Sequence, residues 1–185
     1  LTVLTFLIIS YRQKTFKAFK DSGLPGFIGG IILSFGFCGY VFAMYQTTVA
    51  NTNFIISLQI LFLAIFGYFF LKEKISAVTL TSIILAMTGV LLMVGNSLTP
   101  GELSGNLAAF TMPITFAILI IIVRKFPTVD MVPAQFYAGI CSCLVGYFLS
   151  TKIMISPNDI FLGFLAGCFQ VGLGFIFITT GARTT

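Results

Sequence analysis

The chemistry available to this chain is carried by neutral side chains set into apolar sequence. Gln59, Gln135 and Gln170 each stand inside a long hydrophobic run, Asn53 and Ser57 sit four apart in another, and Thr111 and Thr115 flank Pro113 at the same spacing. An amide without a partner in hydrocarbon costs several kcal/mol, so these groups must meet other protein groups or a water-filled cavity. Residues four apart share a helix face, and Pro113 between the two threonines predicts a kinked wall. Such a surface recognises a small polar solute by shape, amides and hydroxyls. The site residues expected on this reasoning are Asn53, Ser57, Gln59, Thr111, Thr115, Gln135 and Gln170. Tyr40, Tyr45, Tyr68 and Tyr137 lie near the ends of apolar runs, where tyrosines commonly anchor to the membrane interface.

The chain contains no His and no Trp. Zinc sites built on imidazole and His-based acid/base catalysis are therefore excluded. All four Cys lie in apolar runs, and Cys141 and Cys143, two apart, point to different faces of a helix, as inert packing thiols do. No metal, cofactor or catalytic residue is expected. No Asp, Glu, Lys or Arg stands in the middle of a complete apolar run, where proton relays and ion-coupling sites usually place one. Enzymes of the membrane interior need clustered carboxylates, His, or a Ser with a base, and none is visible, so the chain reads as a non-enzyme. Nucleic-acid binding, which needs a dense basic face, is excluded as well.

These side chains must be positioned by membrane spans. Of 185 residues, 58% are hydrophobic and 8% charged, against about a quarter charged in a soluble domain. Crossing a hydrocarbon core of about 30 Å takes about 20 helical residues. Six runs of that length can be drawn, near 24–45, 53–71, 76–95, 105–123, 132–150 and 160–181. They are separated by Asp21 to Gly23 before Pro25, Lys72 to Lys74, Asn96 to Gly105, Lys125 to Asp130 and Thr151 to Asp159. Leu1 to Ser10 is half a span and reads as the tail of a helix that starts earlier. The expectation is a partial sequence, an all-α multi-pass membrane protein with about six full spans and one partial span.

The basic residues orient it. Arg12, Lys14, Lys17, Lys20, Lys72, Lys74, Arg124, Lys125 and Arg183 fall on one set of alternate loops, and only Lys152 on the other. Cytoplasmic loops collect Lys and Arg, so the nine-residue side is expected in the cytoplasm.

Small residues repeat at helical spacing. Gly163, Gly167, Gln170, Gly174 and Gly181 make one stripe; Gln135, Gly139, Ser142 and Gly146 make another. Stripes of this kind let helices approach closely in lipid. Sliding the chain by 138 residues superposes Gly29 on Gly167, Gly36 on Gly174 and Phe37 on Phe175, between spans of opposite direction. Inverted-topology transporters carry repeats of this kind. Five spans separate the equivalent elements, so the chain is expected to be part of an architecture of inverted five-helix repeats, divided into 1–96 and 97–185.

At this point the sequence resembles the EamA family of the drug/metabolite transporter superfamily. The carrying residues are Thr47 to Asn51, Leu71-Lys72-Glu73-Lys74-Ile75-Ser76, the Ser82 and Gly89 pair, Gly105-Asn106-Leu107-Ala108-Ala109, Val123-Arg124-Lys125 and Gly181-Ala182-Arg183. Lys72 stands where the family usually has Gly, and Ile60, beside Gln59, where it often has a mid-span Pro. The resemblance implies ten helices in two inverted repeats, no shared catalytic residues, and transport of a small metabolite.

The function expected is an inner-membrane transporter of a small polar organic solute, by efflux or exchange, working through alternating access. Its partners are the lipid bilayer and the solute, with a homodimer left open. The alternatives are a non-transporting membrane scaffold or sensor, and an intramembrane enzyme whose catalytic residues lie beyond this sequence.

Overall fold

The computed structural model describes residues 2–11, 15–73, 75–95, 102–149 and 156–184. Helix accounts for nearly all of them, and no strand occurs among the described residues. An all-α multi-pass fold is what hydrocarbon demands, because a helix satisfies its own backbone bonds within one segment. The expected loop residues Arg12, Lys14, Lys74 and Lys152 lie outside the described residues, as do 96–101 and 150–155.

In chain order the helices are α1 (Thr2–Tyr11), α2 (Thr15–Gln46), α3 (Val49–Ser57), α4 (Gln59–Phe66), α5 (Ala77–Gly95), α6 (Glu102–Ala109), α7 (Thr111–Lys125), α8 (Val132–Leu149), α9 (Pro157–Leu165) and α10 (Gly174–Thr184). Two π-helical segments, Gly67–Leu71 and Ala166–Leu173, extend α4 and join α9 to α10. Among the described residues, five stretches are long and apolar enough to cross a membrane: Thr15–Gln46, Val49–Leu71, Leu103–Lys125, Val132–Leu149 and Pro157–Ala182. The sixth expected span is the helix α5, of which Ala77–Gly89 registers as a shorter apolar segment.

The chain forms two compact units. The first comprises Leu1–Ser34 and Ile122–Thr185. Its core joins Leu7 of α1, Val132 of α8 and Ile176 of α10, with Phe6, Phe19 and Leu173 against them. Tyr137 meets Phe19 and Phe27 edge-on, with ring centres 5.8 and 5.5 Å apart. The break expected before Pro25 is a kink inside α2 at Gly23, which takes φ 50° and ψ −151°. Pro25 has no N–H to continue the ladder, and glycine accepts the conformation that turns the chain there. The Asp130 carboxylate starts α8 by accepting the Val132 N–H at 3.0 Å, and Pro133 sits in the first turn, where a missing N–H costs nothing.

The second unit is Phe35–Ile121. Thr48 caps α3, accepting the Asn51 N–H at 3.2 Å. Ala43, Ile55 and Ala109 make one buried cluster, and Leu58 and Leu61 another with Phe54, Phe62 and Phe110 around them. Two of its spans are broken in mid-course. The Pro113 kink appears at Phe110, whose N–H bonds three residues back to Leu107; the proline ring displaces the carbonyl four residues before it. The span from Val49 to Leu71 breaks at Leu58 although no proline is present. There the Leu58 N–H turns to Ile55 at 3.1 Å, and the Ser57 hydroxyl donates to the Phe54 carbonyl, a back-bond that bends helices. Gln59 is thus the first residue after the bend.

The π-helical turn Gly67–Leu71 ends on Lys72 in the left-handed region, at φ 57° and ψ 29°. The N–H groups of Lys72 and Glu73 both return to the Gly67 carbonyl, a termination that favours glycine. A side chain in this conformation bears a backbone penalty of about 1–2 kcal/mol. Lys72→Gly is expected to raise stability by about 1 kcal/mol, read as an upward shift of the thermal midpoint in detergent.

Candidate functional site

The seven expected site residues differ sharply in surroundings. Asn53 and Ser57 are exposed on α3 and bond to their own helix, Asn53 Nδ2 to the Val49 carbonyl at 3.0 Å and the Ser57 hydroxyl to Phe54. Gln59 is half-buried at the Leu58 bend. Thr111 and Thr115 are half-buried, and each hydroxyl donates one turn back, to Ala108 at 2.7 Å and to Thr111 at 2.8 Å. Their faces are occupied by α2. A Cβ on Gly39 would overlap the Thr111 hydroxyl, and one on Gly36 the Thr115 hydroxyl. The threonine stripe therefore meets a glycine stripe, as close helix packing in lipid requires.

In the first unit Gln135 is 7% exposed. Its Nε2 donates to the Phe175 carbonyl at 2.8 Å and to Thr179 Oγ1 at 3.0 Å, joining α8 to α10. Its Oε1 is buried and without a hydrogen-bond partner. Gln170 is exposed within the π-helical segment Ala166–Leu173. Among the described residues, the hydrogen bond within the set of seven is the local one from Thr115 to Thr111.

The glycine stripes also divide. Gly30 lies so near α8 that a Cβ would stand 2.6 Å from the Ala134 carbonyl oxygen and 2.6 Å from the Tyr137 Cβ. By contrast, a Cβ at Gly139, Gly146, Gly163, Gly167, Gly174 or Gly181 would meet nothing within 4 Å. The glycines of the stripes expected to be seams in the last two spans face open space, although Gln135 of the α8 stripe is buried against α10, and the glycine seams that close are those of α2.

Four polar residues not expected in the site are as well placed as any that were. Thr179 is 3% exposed and completes the Gln135 contact. The Thr47 hydroxyl donates to Asn106 Oδ1 at 2.8 Å, and Asn51 Nδ2 reaches Thr47 Oγ1 at 3.4 Å. Asn51 and Asn106 lie in the segments that carry the family resemblance, so the sequence marks them by position while leaving their pairing open.

The donors and acceptors so arranged are all amides and hydroxyls. They can orient a solute by hydrogen bonds and cannot move protons as titrating groups do.

The family model described as EamA-like transporter family matches residues 1–95. No curated protein and no solved structure matches the chain. With just over half of its length matched, and with apolar helices of spanning length, this chain is a multi-pass membrane protein that belongs to the EamA-like transporter family.

Proposed function

We propose that the protein moves a small polar organic solute across the plasma membrane by alternating access of two inverted repeats, of which 1–96 is the end of the first and 97–185 the start of the second, in efflux or exchange. The loops bearing Arg12 to Lys20, Lys72 to Lys74, Arg124 to Lys125 and Arg183 face the cytoplasm, in line with the positive-inside rule. The solute is met by Asn53, Ser57, Gln59, Thr111, Thr115, Gln135 and Gln170.

The observation that carries this reading is a family match to transporters in a chain whose spans hold amides and hydroxyls and no central charge. A charged solute group in a low-dielectric path would need an opposite charge, so neutral recognition favours a neutral or internally compensated solute. The exposed amides of Asn53 and Gln170 and the half-buried Gln59 support it, since an amide left at a helix face in hydrocarbon gains from meeting a polar molecule.

Counterflow in proteoliposomes tests it, with the full-length protein and a radiolabelled panel of amino acids, polyols and nucleosides. Saturable exchange of at least one member is expected, and Gln170→Leu should weaken it by about tenfold, the loss of one good hydrogen bond. Absence of exchange across the panel, together with a stably co-purifying protein partner, would favour a scaffold or sensor instead.

A further inference from the structure

At one end of the unit Phe35–Ile121, the turn between α2 and α3 meets the first turns of α6. Gly105 permits the approach, because a Cβ there would stand 2.7 Å from the Gln46 carbonyl carbon and 2.8 Å from the Thr47 nitrogen. Backbone lies against backbone with no room for a side chain. The contact is closed by the Thr47 hydroxyl, donating to Asn106 Oδ1 at 2.8 Å, and by Asn51 Nδ2, reaching Thr47 Oγ1 at 3.4 Å. It is buried: Asn106 is 1% exposed, Asn51 8%, and Thr52, next in sequence to Asn51, 0%.

One atom does not fit a purely structural role. Asn106 Nδ2 is buried and has no hydrogen-bond partner. A buried donor left unpaired costs about as much as a neutral hydrogen bond returns, or more. The Thr47–Asn106 bond and the unpaired Nδ2 thus largely offset one another. Opening the contact to water would lose the first and relieve the second.

We propose that Thr47, Asn51 and Asn106 form a latch that closes this end of the helix bundle in one state of the transport cycle and parts in the other. The proposal rests on the transport reading above, in which Thr47 and Asn51 belong to one repeat and Asn106 to the next, so that the bond crosses the repeat boundary. Neutral groups suit the task. An ion pair would have to shed and regain strongly held water at every turnover, whereas amides and hydroxyls exchange partners at little net free energy. Gly105 sets the fit and Asn106 sets the balance. Lys72, at the other end of the α3 to α4 span, takes no part.

The test uses the full-length protein with Cys38, Cys141, Cys143 and Cys168 replaced by alanine, and Thr52→Cys as a reporter. Its rate of reaction with a membrane-impermeant maleimide is read in sealed vesicles of both orientations, which needs no solute. Thr47→Val, which keeps the side-chain shape, removes the bond and leaves the unpaired Asn106 Nδ2 in place, so it is expected to raise that rate by about fivefold, the population shift that follows loss of one hydrogen bond. Asn106→Ala removes the bond and the unpaired donor together and should stay within about twofold of the parent rate, and Thr47→Ala carries the test if Thr47→Val does not accumulate in the membrane. Equal rates in the parent and the Thr47 variant overturn the proposal. In a second arm, oxidation of a Thr47→Cys, Asn106→Cys pair should stop counterflow, and dithiothreitol should restore it. Counterflow that continues through a formed cross-link also overturns the proposal. Rates that respond in a protein with no counterflow would keep the latch and sink the transport reading.

Discussion

Gly30→Ala is expected to destabilise the protein by about 2–3 kcal/mol, the upper part of the range for overpacking, while Gly139→Ala, one span away, should be neutral or stabilising. The two substitutions share the helix-propensity gain of alanine over glycine, about 1 kcal/mol in favour of the variant. They differ in what the new methyl meets. At Gly30 it would stand 2.6 Å from the carbonyl oxygen of Ala134 and 3.2 Å from the Ala138 nitrogen, and main chain inside a helix cannot rotate away. At Gly139 nothing lies within 4 Å. Gly105→Ala belongs with Gly30, since its neighbours are the Gln46 and Thr47 backbone. Gly36→Ala should fall between, because a threonine hydroxyl can swing aside once it gives up its bond to the helix, whereas Gly39→Ala belongs with Gly30, its methyl also standing 2.9 Å from the Thr111 Cβ and 3.1 Å from the Ala108 carbonyl oxygen. Thermal unfolding in a single detergent, with the five variants side by side, checks the order. A Gly139→Ala loss as large as that of Gly30→Ala would overturn the assignment of the closed seam to α2.

The second large effect is on activity. Gln135→Leu is expected to lower counterflow by about tenfold, one hydrogen bond's worth, while leaving stability nearly unchanged. Leucine removes the two bonds from Nε2, to Phe175 and Thr179. Interhelical bonds in membranes average about 0.6 kcal/mol and reach about 1.7. The loss strands no partner: the Phe175 carbonyl still accepts the Thr179 hydroxyl at 2.8 Å. Leucine also removes the buried Oε1 that has no partner, an unpaired acceptor of the kind that costs about 1–3 kcal/mol. The two terms cancel to within about 1 kcal/mol, so any sizeable fall in transport reports on Gln135 itself. A cycle with Thr179→Val should recover a coupling of about 1 kcal/mol. Unchanged counterflow in Gln135→Leu would remove this residue from the solute path.

Much of the fold is legible in the sequence because hydrocarbon leaves so few choices. Where charge and proline collect, the spans end, and Gly23 before Pro25, Lys72 after Leu71 and Asp130 before Val132 all mark real breaks or starts. The resemblance sets Lys72 where Gly is usual, and the structure gives that residue a left-handed turn of the kind glycine serves best. What sequence could not supply is which face of each span meets protein. In water a buried face is apolar and an exposed one polar; in lipid both are apolar, and periodicity loses its sign. The glycines of α8 and those of α2 look alike as letters, yet Gly30 is jammed against a neighbour while Gly139 and Gly146 are not. The bend at Leu58 has no proline to mark it, since it is made by a serine back-bond. Asn106 pairs with a residue 59 positions away, beyond the reach of any local pattern.

The π-helical stretch from Ala166 to Leu173 bears on how proteins of this kind can change length. In a soluble protein an extra residue is most easily expelled as a surface loop. Within hydrocarbon that exit is shut, because a looped-out residue would expose an N–H and a carbonyl with nothing to bond. A turn that closes its hydrogen bond one residue later absorbs the newcomer and keeps every carbonyl paired. Eight consecutive residues of that form in the last span make it a place where the chain tolerates insertion and deletion without leaving the membrane. A one-residue deletion there should be accommodated as ordinary α-helix, turning the face of Gly174–Thr184 relative to Pro157–Leu165 rather than breaking the span.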